Sequence, residues 1–533
     1  MSCFGNSIKD LIEYSELSRA IDSRKLPMGL LGLSHIHKAH FIHSLCDEKK
    51  RKALIIAPDE HTATRLRDDL AAFGSAAAVY PAGDFSFRPT QAHSRDYEQQ
   101  RLGVLSQMLD GSLDAVVMSV EAALQLTVEP HILRRNTMVI GVDSEILPDM
   151  IADDLVAAGY VRSEMVEGRG QFAIRGGLID IFPPSSDLPV RIELWGETVD
   201  SIAYFEIDTQ RRTEQIGEIK ITPATCVLYE STQSLIALIE QHKATLKGKG
   251  AVKARASLDE DIERLKNGIR VESLDRYLPI LNSGGSTIFE YAQGYMLFVC
   301  ETSAVKLHGE AAEKLMHEDI KAMFEEGVLS KGLDTYSISF SELTSLYEKL
   351  GAVYLDNLPR GSFDTPVKSL ITLSARQLTP WGGQLLDLLE DVRPAVSRDY
   401  RVVVFGGTDK AAKALCDELR DEEVNAVYLP VPPAEFSPGM VSVLPGGLSF
   451  GFEYPGAKLM VVTYGTRQAN LSSHRKKQKK NKGQGFNSLD ELHRGDYVVH
   501  ATHGIGIFDG INSMNVSGTV KDYIKIKYAK DGV

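Results

Sequence analysis

Apolar and polar residues alternate with a period of two in the segment VRIELW, Val190–Trp195. This alternation predicts a β-strand whose apolar side chains share one face, while Arg191 and Trp195 share the other. In the preceding segment QFAIR the same pattern separates Arg175 from its apolar neighbours. Pairing of the two strands would therefore bring Arg175, Arg191 and Trp195 onto one surface.

A tryptophan flanked by arginines on a rigid sheet has the composition of a protein-binding hot spot. We therefore expect Trp195 to face outwards. The alternative is that another element of the same domain covers Trp195, and that both arginines are ordinary solvated charges.

The first 119 residues alternate between strand and helix patterns. Apolar runs predict buried strands at Ala53–Ala57, Ala76–Tyr80 and Ala115–Ser119, and helical periodicity predicts helices at His61–Phe73 and Tyr97–Leu109. Repeated strand–helix units build a parallel sheet with helices on both faces.

From about Met138 longer antiparallel runs around a helix at Leu147–Ala158 indicate an inserted α+β domain. A stretch with Pro and Gly at Leu358–Pro366 precedes a second α/β unit. Its expected strands are Arg401–Phe405, Asn425–Tyr428, Met440–Leu444 and Lys458–Tyr464.

The segment Gly495–Val533 contains only strand and turn patterns, as in a small β-barrel. Its last strand runs into a hairpin turn without a return strand. We therefore expect an incomplete barrel, and we expect the chain to be the front part of a longer protein.

The composition excludes several classes of protein. At 533 residues the chain is too long for one core, and its 43% apolar and 25% charged residues are typical of globular domains. It has no apolar run long enough to span a membrane and no signal-peptide pattern at its N-terminus. Five widely separated cysteines indicate a reducing compartment, without disulfides or structural zinc. We expect a cytoplasmic protein.

The net charge of −13 disfavours broad nucleic-acid binding by the chain as a whole. One basic block, His474–Lys482, carries six Lys or Arg in nine residues. We interpret it first as a solvated linker, and second as a tether that contacts nucleic-acid phosphates.

Two degenerate nucleotide motifs lie in the strand–helix region. A phosphate-binding loop needs G-x-x-x-x-G-K-S/T, whose lysine neutralises phosphate and whose hydroxyl holds Mg²⁺. The segment from Gly32 to Ala39 keeps Gly32 and Lys38 but has His37 and Ala39 at the other two positions. The alternative is a chance match in a segment without nucleotide chemistry.

A second motif follows the apolar strand MLFVC, Met296–Cys300. ATPases of the helicase class end such a strand in Asp-Glu, which serve Mg²⁺ and the attacking water. Here Cys300 takes the place of the aspartate and only Glu301 remains; alone, it would be a buried strand ending in a surface glutamate. Because both motifs are broken, we expect an ATPase-shaped module with no catalytic residues and no cofactor in this chain.

Two other candidate sites have weaker support in the sequence. Four histidines at spacings of two and three, His35, His37, His40 and His43, lack a carboxylate or Cys at helical spacing, so we expect no metal site. Gly406-Gly407-Thr408 follows a strand and opens a helix, but without a lysine a tight turn is the better interpretation.

These residues resemble a known family, the bacterial transcription-repair coupling factors, whose N-terminal part is similar to the excision-repair protein UvrB. GRGQFAIRGGLIDIFPPSSDLPVRIELWGETVDSI resembles the second domain that both share, and VVMSVEAALQ resembles part of the UvrB motor domain. HRGDYVVHATHGIGIFDGI is similar to the RNA-polymerase-interacting module of the family, which has the fold of CarD and Tudor domains.

The resemblance implies an α/β multidomain fold: a degenerate RecA-like and UvrB-like parallel-sheet domain, an inserted α+β domain, a second small α/β domain and an incomplete C-terminal β-barrel. The expected domains are 1–137 and 223–355 for the two parts of UvrB-like domain 1, 138–222 for the UvrA-binding domain, 356–466 for the small α/β domain of unknown role, 467–487 for the basic linker and 488–533 for the polymerase-interacting domain.

The resemblance also implies partners. The positions that match the family's UvrA contacts are Arg175, Arg191 and Trp195. Contacts with the β subunit of RNA polymerase would come from Ile507, Ile511, Met514 and Val516. The family's ATP- and Mg²⁺-dependent translocase, which acts on double-stranded DNA, would follow Val533. The whole protein would displace stalled polymerase and recruit UvrA, and this part would supply the two adaptor ends.

Two rival functions differ in class. A UvrB-like ATP-dependent repair subunit needs the hydroxyl and the aspartate that Ala39 and Cys300 replace. A CarD-type polymerase-binding regulator leaves the long UvrB-like region ahead of the module unexplained. For the UvrA surface, we expect Arg191→Glu to abolish UvrA binding and to leave the fold intact, as a surface charge reversal does.

Overall fold

The computed structural model describes residues 3–85, 87, 95–229, 231–247, 251–267, 271, 273–281, 285–358, 363, 365–464, 497–500, 504–516 and 519–527. They belong to two compact units, one built from Met1–Phe87 with Tyr97–Leu471 and one from Arg88–Asp96 with Ser472–Val533. Among the described residues, no helix is both long and apolar enough to cross a membrane.

The strands are β1 (Met28–Leu31), β2 (Ala53–Ala57), β3 (Ala77–Tyr80), β4 (Ala115–Ser119), β5 (Met138–Gly141), β6 (Val161–Arg162), β7 (Gln171–Arg175), β8 (Leu178–Ile181), β9 (Val190–Trp195), β10 (Thr198–Phe205), β11 (Arg212–Ile216), β12 (Glu218–Ile221), β13 (Met296–Cys300), β14 (Val353–Asp356), β15 (Ser369–Thr372), β16 (Arg376–Leu378), β17 (Arg401–Phe405), β18 (Ala426–Tyr428), β19 (Met440–Leu444), β20 (Gly451–Tyr454), β21 (Leu459–Thr463), β22 (Tyr497–His500), β23 (Gly504–Val516) and β24 (Thr519–Lys527).

The α-helices are α1 (Cys3–Ser7), α2 (Ile12–Asp22), α3 (His35–Lys49), α4 (Glu60–Ala72), α5 (Asp96–Asp110), α6 (Val120–Leu124), α7 (Pro130–Arg135), α8 (Pro148–Ala157), α9 (Thr232–Thr245), α10 (Ala251–Lys266), α11 (Leu278–Leu281), α12 (Thr302–Glu326), α13 (Phe340–Leu350), α14 (Leu385–Ser397) and α15 (Asp409–Asp421). Short 3₁₀ helices cover Leu274–Tyr277, Ile288–Glu290 and Pro455–Ala457.

A seven-stranded sheet in the order β15-β1-β14-β13-β2-β4-β3 organises the first unit, and every neighbouring pair is parallel. Its central strands are buried at every position, as continuous apolar runs such as ALIIA require when helices cover both faces. Helices α1–α4 pack on one face and α5–α7 and α13 on the other. The predicted α/β class with a large parallel sheet is confirmed.

A helical group adjoins this sheet. Helices α9, α10 and α11 pack with the C-terminal part of α12 around a separate apolar cluster that includes Leu235, Leu258 and Met323. A buried ion pair between Arg276 and Asp261 lies within the group, and Tyr277 donates a hydrogen bond of 2.7 Å to the same carboxylate.

The inserted region forms a six-stranded sheet in the order β11-β10-β9-β8-β7-β6, with a two-stranded sheet of β5 and β12 beside it. All neighbours in the larger sheet are antiparallel except β6 and β7. Helix α8 places Ile151 and Leu155 against the apolar face of this sheet, where they meet Phe172 and Ile192. The opposite face carries a smaller apolar cluster of Val166, Ala173, Phe182 and Phe205 beside charged residues.

A second α/β sheet has the order β16-β20-β21-β17-β19-β18, with β21, β17, β19 and β18 parallel. Helices α14 and α15 cover one face. The other face packs against α1, α3 and α4, so the two α/β sheets share one apolar core. Strand β15 lies inside the expected domain 356–466 but pairs with β1, so the second sheet begins only at β16.

The C-terminal unit contains a three-stranded antiparallel sheet in the order β22-β23-β24, with a register shift between Phe508 and Gly510. These strands agree with the strand pattern of the sequence. Closure into a barrel stays a prediction.

Candidate docking surface and nucleotide-motif region

Three residues singled out by the alternation pattern lie on one face of the six-stranded sheet. Strand β8 lies between β7 and β9, so the direct pairing expected from the sequence is wrong. The register nevertheless preserves the common face, because Arg175 pairs with Leu178 and Leu178 with Glu193. Trp195 lies two residues beyond Glu193 and therefore points to the same side.

Trp195 is the last residue of β9, where a turn leads into β10. Its side chain is 85% exposed, so no described element of the chain covers it. An exposed tryptophan at the end of a hydrogen-bonded strand offers a large apolar surface at little cost in conformational entropy. We name the surface formed by Arg175, Arg191 and Trp195 the Arg–Trp face.

Asp180 on β8 is the residue of this face that the sequence analysis missed. It is 1% exposed, and it receives a 2.5 Å hydrogen bond from Arg175 Nη2. Arg191 donates to both of its oxygens, at 2.7 Å from Nε and 2.9 Å from Nη2. An aspartate in the middle of the apolar run LIDI was the available signal, since a buried carboxylate requires a cation.

Arg191 is not the solvated charge that the sequence suggested. Its side chain is 13% exposed, and its Nη1 donates to the Gln210 carbonyl at 3.1 Å. The guanidinium also lies 4.7 Å from the ring centroid of Phe205. The hydrogen bond with Asp180 raises the pKa of Arg191, so the guanidinium stays charged. The premise that Arg191 is a surface charge is therefore wrong, and we now expect Arg191→Glu to destabilise the fold.

The first nucleotide motif takes a different local structure from a phosphate-binding loop. Gly32 follows β1 at a φ of 86°, and α3 begins already at His35. A Cβ at Gly32 would collide with the Leu373 carbonyl oxygen, so the chain after β15 passes directly over this glycine. Residues that would form the loop instead form the first turn of a helix.

His37, Lys38 and Ala39 are all buried in α3. The His37 ring packs against Phe452 and Tyr454 of the second α/β sheet, with centroid distances of 5.7 and 5.1 Å. Burial lowers the pKa of His37 to about 3, so the ring is neutral near pH 7. The position of the second loop glycine is thus part of the core between the two α/β sheets.

The second motif lies at the end of β13. Its one acidic residue, Glu301, contacts Lys38, the lysine of the first motif. Glu301 forms an ion pair with Lys38, whose side chain is 3% exposed. Cys300 is buried, which raises the pKa of its thiol to about 12 and keeps it protonated. Glu301 has a φ of 59°, a left-handed conformation that a non-glycine residue adopts only when its surroundings hold it there.

Strand β14 runs between β1 and β13 and contributes Asp356, a further residue that the sequence analysis missed. Its carboxylate accepts hydrogen bonds from the Thr302 backbone N–H at 2.7 Å and from the Thr302 hydroxyl at 2.9 Å. The charged groups of this region therefore pair with groups of the chain itself.

The expected polymerase contacts lie on β23. Ile507 pairs with Tyr497 and Lys527 and is 38% exposed. The backbone of Ile511, Met514 and Val516 pairs with β24, but their side chains lie outside the described residues. The basic block His474–Lys482 also lies outside the described residues.

Two family models match this chain. One, described as the UvrB interaction domain, matches residues 138–226, which include the six-stranded sheet. The other, described as the CarD-like/TRCF RID domain, matches residues 492–533. Each match falls on a segment for which the sequence showed the corresponding resemblance.

Whole-chain comparisons agree with these matches. The transcription-repair-coupling factor of Bacillus subtilis (strain 168) is 29% identical over 532 residues, which cover 98% of this chain and 45% of that protein. The factor of Staphylococcus aureus (strain USA300) is 25% identical over 518 residues, 93% of this chain and 43% of that protein. The factor of Staphylococcus epidermidis (strain RP62A) is 24% identical over 547 residues, 99% of this chain and 45% of that protein. The resemblance is confirmed, and the chain spans a little less than half the length of these relatives.

Proposed function

We propose that this chain is the docking part of a transcription-repair coupling factor, which binds UvrA through the Arg–Trp face and RNA polymerase through its C-terminal sheet. The observation that carries the proposal is the 85% exposure of Trp195 beside Arg175 within the segment that matches the UvrB interaction domain. A large exposed aromatic with a partly exposed guanidinium is the usual composition of a hot spot.

The polymerase-binding role rests on the match of residues 492–533 to the CarD-like/TRCF RID model. We place the contact with the β subunit on β23, at Ile507, Ile511, Met514 and Val516, and we propose that β22–β24 begin a small barrel of the CarD and Tudor type. A strand edge with apolar side chains is a recurring mode of protein recognition.

We further propose that this part of the protein neither binds nor hydrolyses ATP. The lysine that would neutralise phosphate is paired with Glu301, Ala39 offers no hydroxyl for Mg²⁺, and the first helical turn replaces the loop. In a protein of the relatives' length, ATP, Mg²⁺ and double-stranded DNA would act on the part that this chain does not cover.

The two rival functions are not favoured. A UvrB-like ATP-dependent subunit needs a nucleotide site with free charged groups, which Lys38 and Glu301 do not provide in the described structure. A CarD-type regulator alone would not resemble coupling factors over 93–99% of the chain.

Direct binding tests the proposal. The 533-residue chain is titrated with purified UvrA and with RNA polymerase, and its ATP turnover is measured without either partner. Saturable binding of both partners with no turnover supports the proposal. Failure to bind UvrA would overturn the assignment of the Arg–Trp face, and turnover above background would overturn the non-catalytic role.

A further inference from the structure

The two arginines of the Arg–Trp face differ in how much of the guanidinium group is accessible to a partner. Arg191 donates four hydrogen bonds, to the two Asp180 oxygens and to the backbone and side chain of Gln210, and is 13% exposed. Arg175 makes one hydrogen bond in the described structure, to Asp180, and is 42% exposed. The accessible positive charge is therefore that of Arg175.

Asp180 determines where this charge lies. Its register across β7, β8 and β9 aligns it with Ala173 on one side and Arg191 on the other, beneath both guanidinium groups. Oxygen Oδ2 accepts from Nη2 of both arginines, at 2.5 Å from Arg175 and 2.9 Å from Arg191. One buried carboxylate thus neutralises one guanidinium and orients the other.

The position of Arg175 at a strand end explains why its side chain needs the hydrogen bond to Asp180. It is the last residue of β7, just before the turn Gly176-Gly177, where Gly176 has a φ of 60°. A Cβ at Gly177 would lie 3.0 Å from the Leu194 carbonyl oxygen, so the turn lies close against β9. A long side chain at a strand end has many rotamers, and a charge-assisted hydrogen bond selects among them.

We propose that Asp180 is the positioning residue of the Arg–Trp face: it holds the Arg175 guanidinium ready for a carboxylate of the partner, while Arg191 acts through Asp180 as a scaffold. This inference rests on the proposed function, that the face binds UvrA. Arg175, Arg191 and Asp180 together carry a net charge of +1, and Glu193 on the same face is neutralised by an ion pair with Arg212. Because Arg175 is the well-exposed member of the first three, the face fits an acidic side chain beside an apolar contact for Trp195.

A double-mutant cycle with the whole chain tests the inference. The affinity for UvrA is measured for the unaltered chain, Asp180→Asn, Arg175→Ala and the double variant. Each single change is expected to weaken binding about ten-fold, and Asp180→Asn is expected to add less than about two-fold in the Arg175→Ala background. A purely structural role for Asp180 would instead weaken binding equally in both backgrounds, and this result would overturn the inference.

Asp180→Glu is a second variant, for use if Asp180→Asn fails to fold. It keeps a negative charge under both arginines but moves the carboxylate oxygens by one methylene. It is expected to lose affinity in the same Arg175-dependent manner, with thermal unfolding as the check of the fold. Asp187→Asn, which removes an exposed partner of Arg169 in the same domain, is the matched control and is expected to bind normally. If the unaltered chain does not bind UvrA, the proposed function fails and the inference with it. Full affinity of both Asp180 variants overturns the inference alone.

Discussion

Lys38 and Glu301, 263 residues apart in the chain, form an ion pair at the carboxyl edge of the seven-stranded sheet. In a working ATPase these two positions would serve phosphate and the attacking water. Here each is the partner of the other, so the remnants of two nucleotide motifs tie β13 to α3.

The ion pair predicts an asymmetry in stability. Glu301→Gln leaves the buried Lys38 without its counter-charge and is expected to lower the free energy of unfolding by about 2 kcal/mol. Lys38→Met is expected to cost about 1 kcal/mol, because Glu301 is 35% exposed and stays hydrated. Denaturant unfolding measures both. The double variant should be more stable than the sum of the two losses implies, and strict additivity would show that the pair contributes nothing.

Asp69 on α4 joins the two α/β sheets, since its buried carboxylate accepts hydrogen bonds from the Ser449 backbone N–H at 3.0 Å and the Ser449 hydroxyl at 2.7 Å. Asp69→Ala is expected to cost about 3 kcal/mol of unfolding free energy, because it leaves the partly buried N–H and hydroxyl of Ser449 without their acceptor. Ser449→Ala, which loses only the hydroxyl bond, should cost about half as much.

The matched control for this prediction is Asp10→Ala. Asp10 also pairs across the two sheets, with Arg401 at 2.6 Å, but its side chain is 61% exposed. The expected loss is below about 1 kcal/mol, as for other surface ion pairs. Equal losses for Asp10→Ala and Asp69→Ala in urea titrations would contradict a buried polar link between the sheets.

Buried histidines predict lability to acid. Burial lowers the pKa of both His37 and His40 to about 3, whereas an unfolded chain has its histidines near 6.5. These two histidines therefore cost no stability above pH 6.5. Below it, the free energy of unfolding falls as the pH decreases towards 3, because only the unfolded chain takes up these protons. In this range each histidine lowers the free energy of unfolding by about 1.4 kcal/mol for each unit of decrease in pH.

The measurement is denaturant unfolding between pH 7.5 and 5, a window in which few carboxylates titrate. His37→Gln should reduce the slope by about one histidine's share. An unchanged slope for His37→Gln would contradict the neutral, buried state of His37.

The sequence predicted the strands with continuous apolar runs, such as Ala53–Ala57 and Met296–Cys300, because burial on both faces leaves a strong pattern. It did not predict β1, whose short apolar run is interrupted by a glycine, or β15, which is buried at only one of its four positions. Alternation predicted the face on which Trp195 lies, and the structure decides between the two alternatives by showing the side chain exposed.

Asp356 acquires its role only when β14 is brought next to Thr302, 54 residues away in the chain, so the sequence could not predict it. The partners of Asp180 are only 5 and 11 residues away, and the aspartate in the apolar run LIDI was a signal that the sequence analysis did not use. His37 was recognised as a departure from a motif and Lys38 as a retained residue of it, but only the second α/β sheet and Glu301 show what surrounds them.

Arg191→Glu is expected to unfold the domain that carries the Arg–Trp face. It would place a second carboxylate against Asp180, which is 1% exposed, and remove the main partner of that charge. A loss of at least about 3 kcal/mol is expected from a broken buried pair. Thermal unfolding followed by circular dichroism measures the loss.

The control for this variant is Arg169→Glu. Arg169 lies in the same domain, is 38% exposed and pairs with a fully exposed Asp187, so its reversal should change stability by less than about 1 kcal/mol. If Arg191→Glu melts like the unaltered chain, Arg191 is a free surface charge after all.

The affinity of the chain for UvrA after Trp195→Ala tests the docking role most directly. Met150→Ala is the matched variant, since Met150 is 62% exposed on α8, on the opposite side of the same domain. We expect Trp195→Ala to weaken UvrA binding by at least about thirty-fold, as for a hot-spot tryptophan, without lowering thermal stability. Met150→Ala should bind as the unaltered chain does. Equal affinities for the two variants and the unaltered chain would contradict the assignment of this face to UvrA.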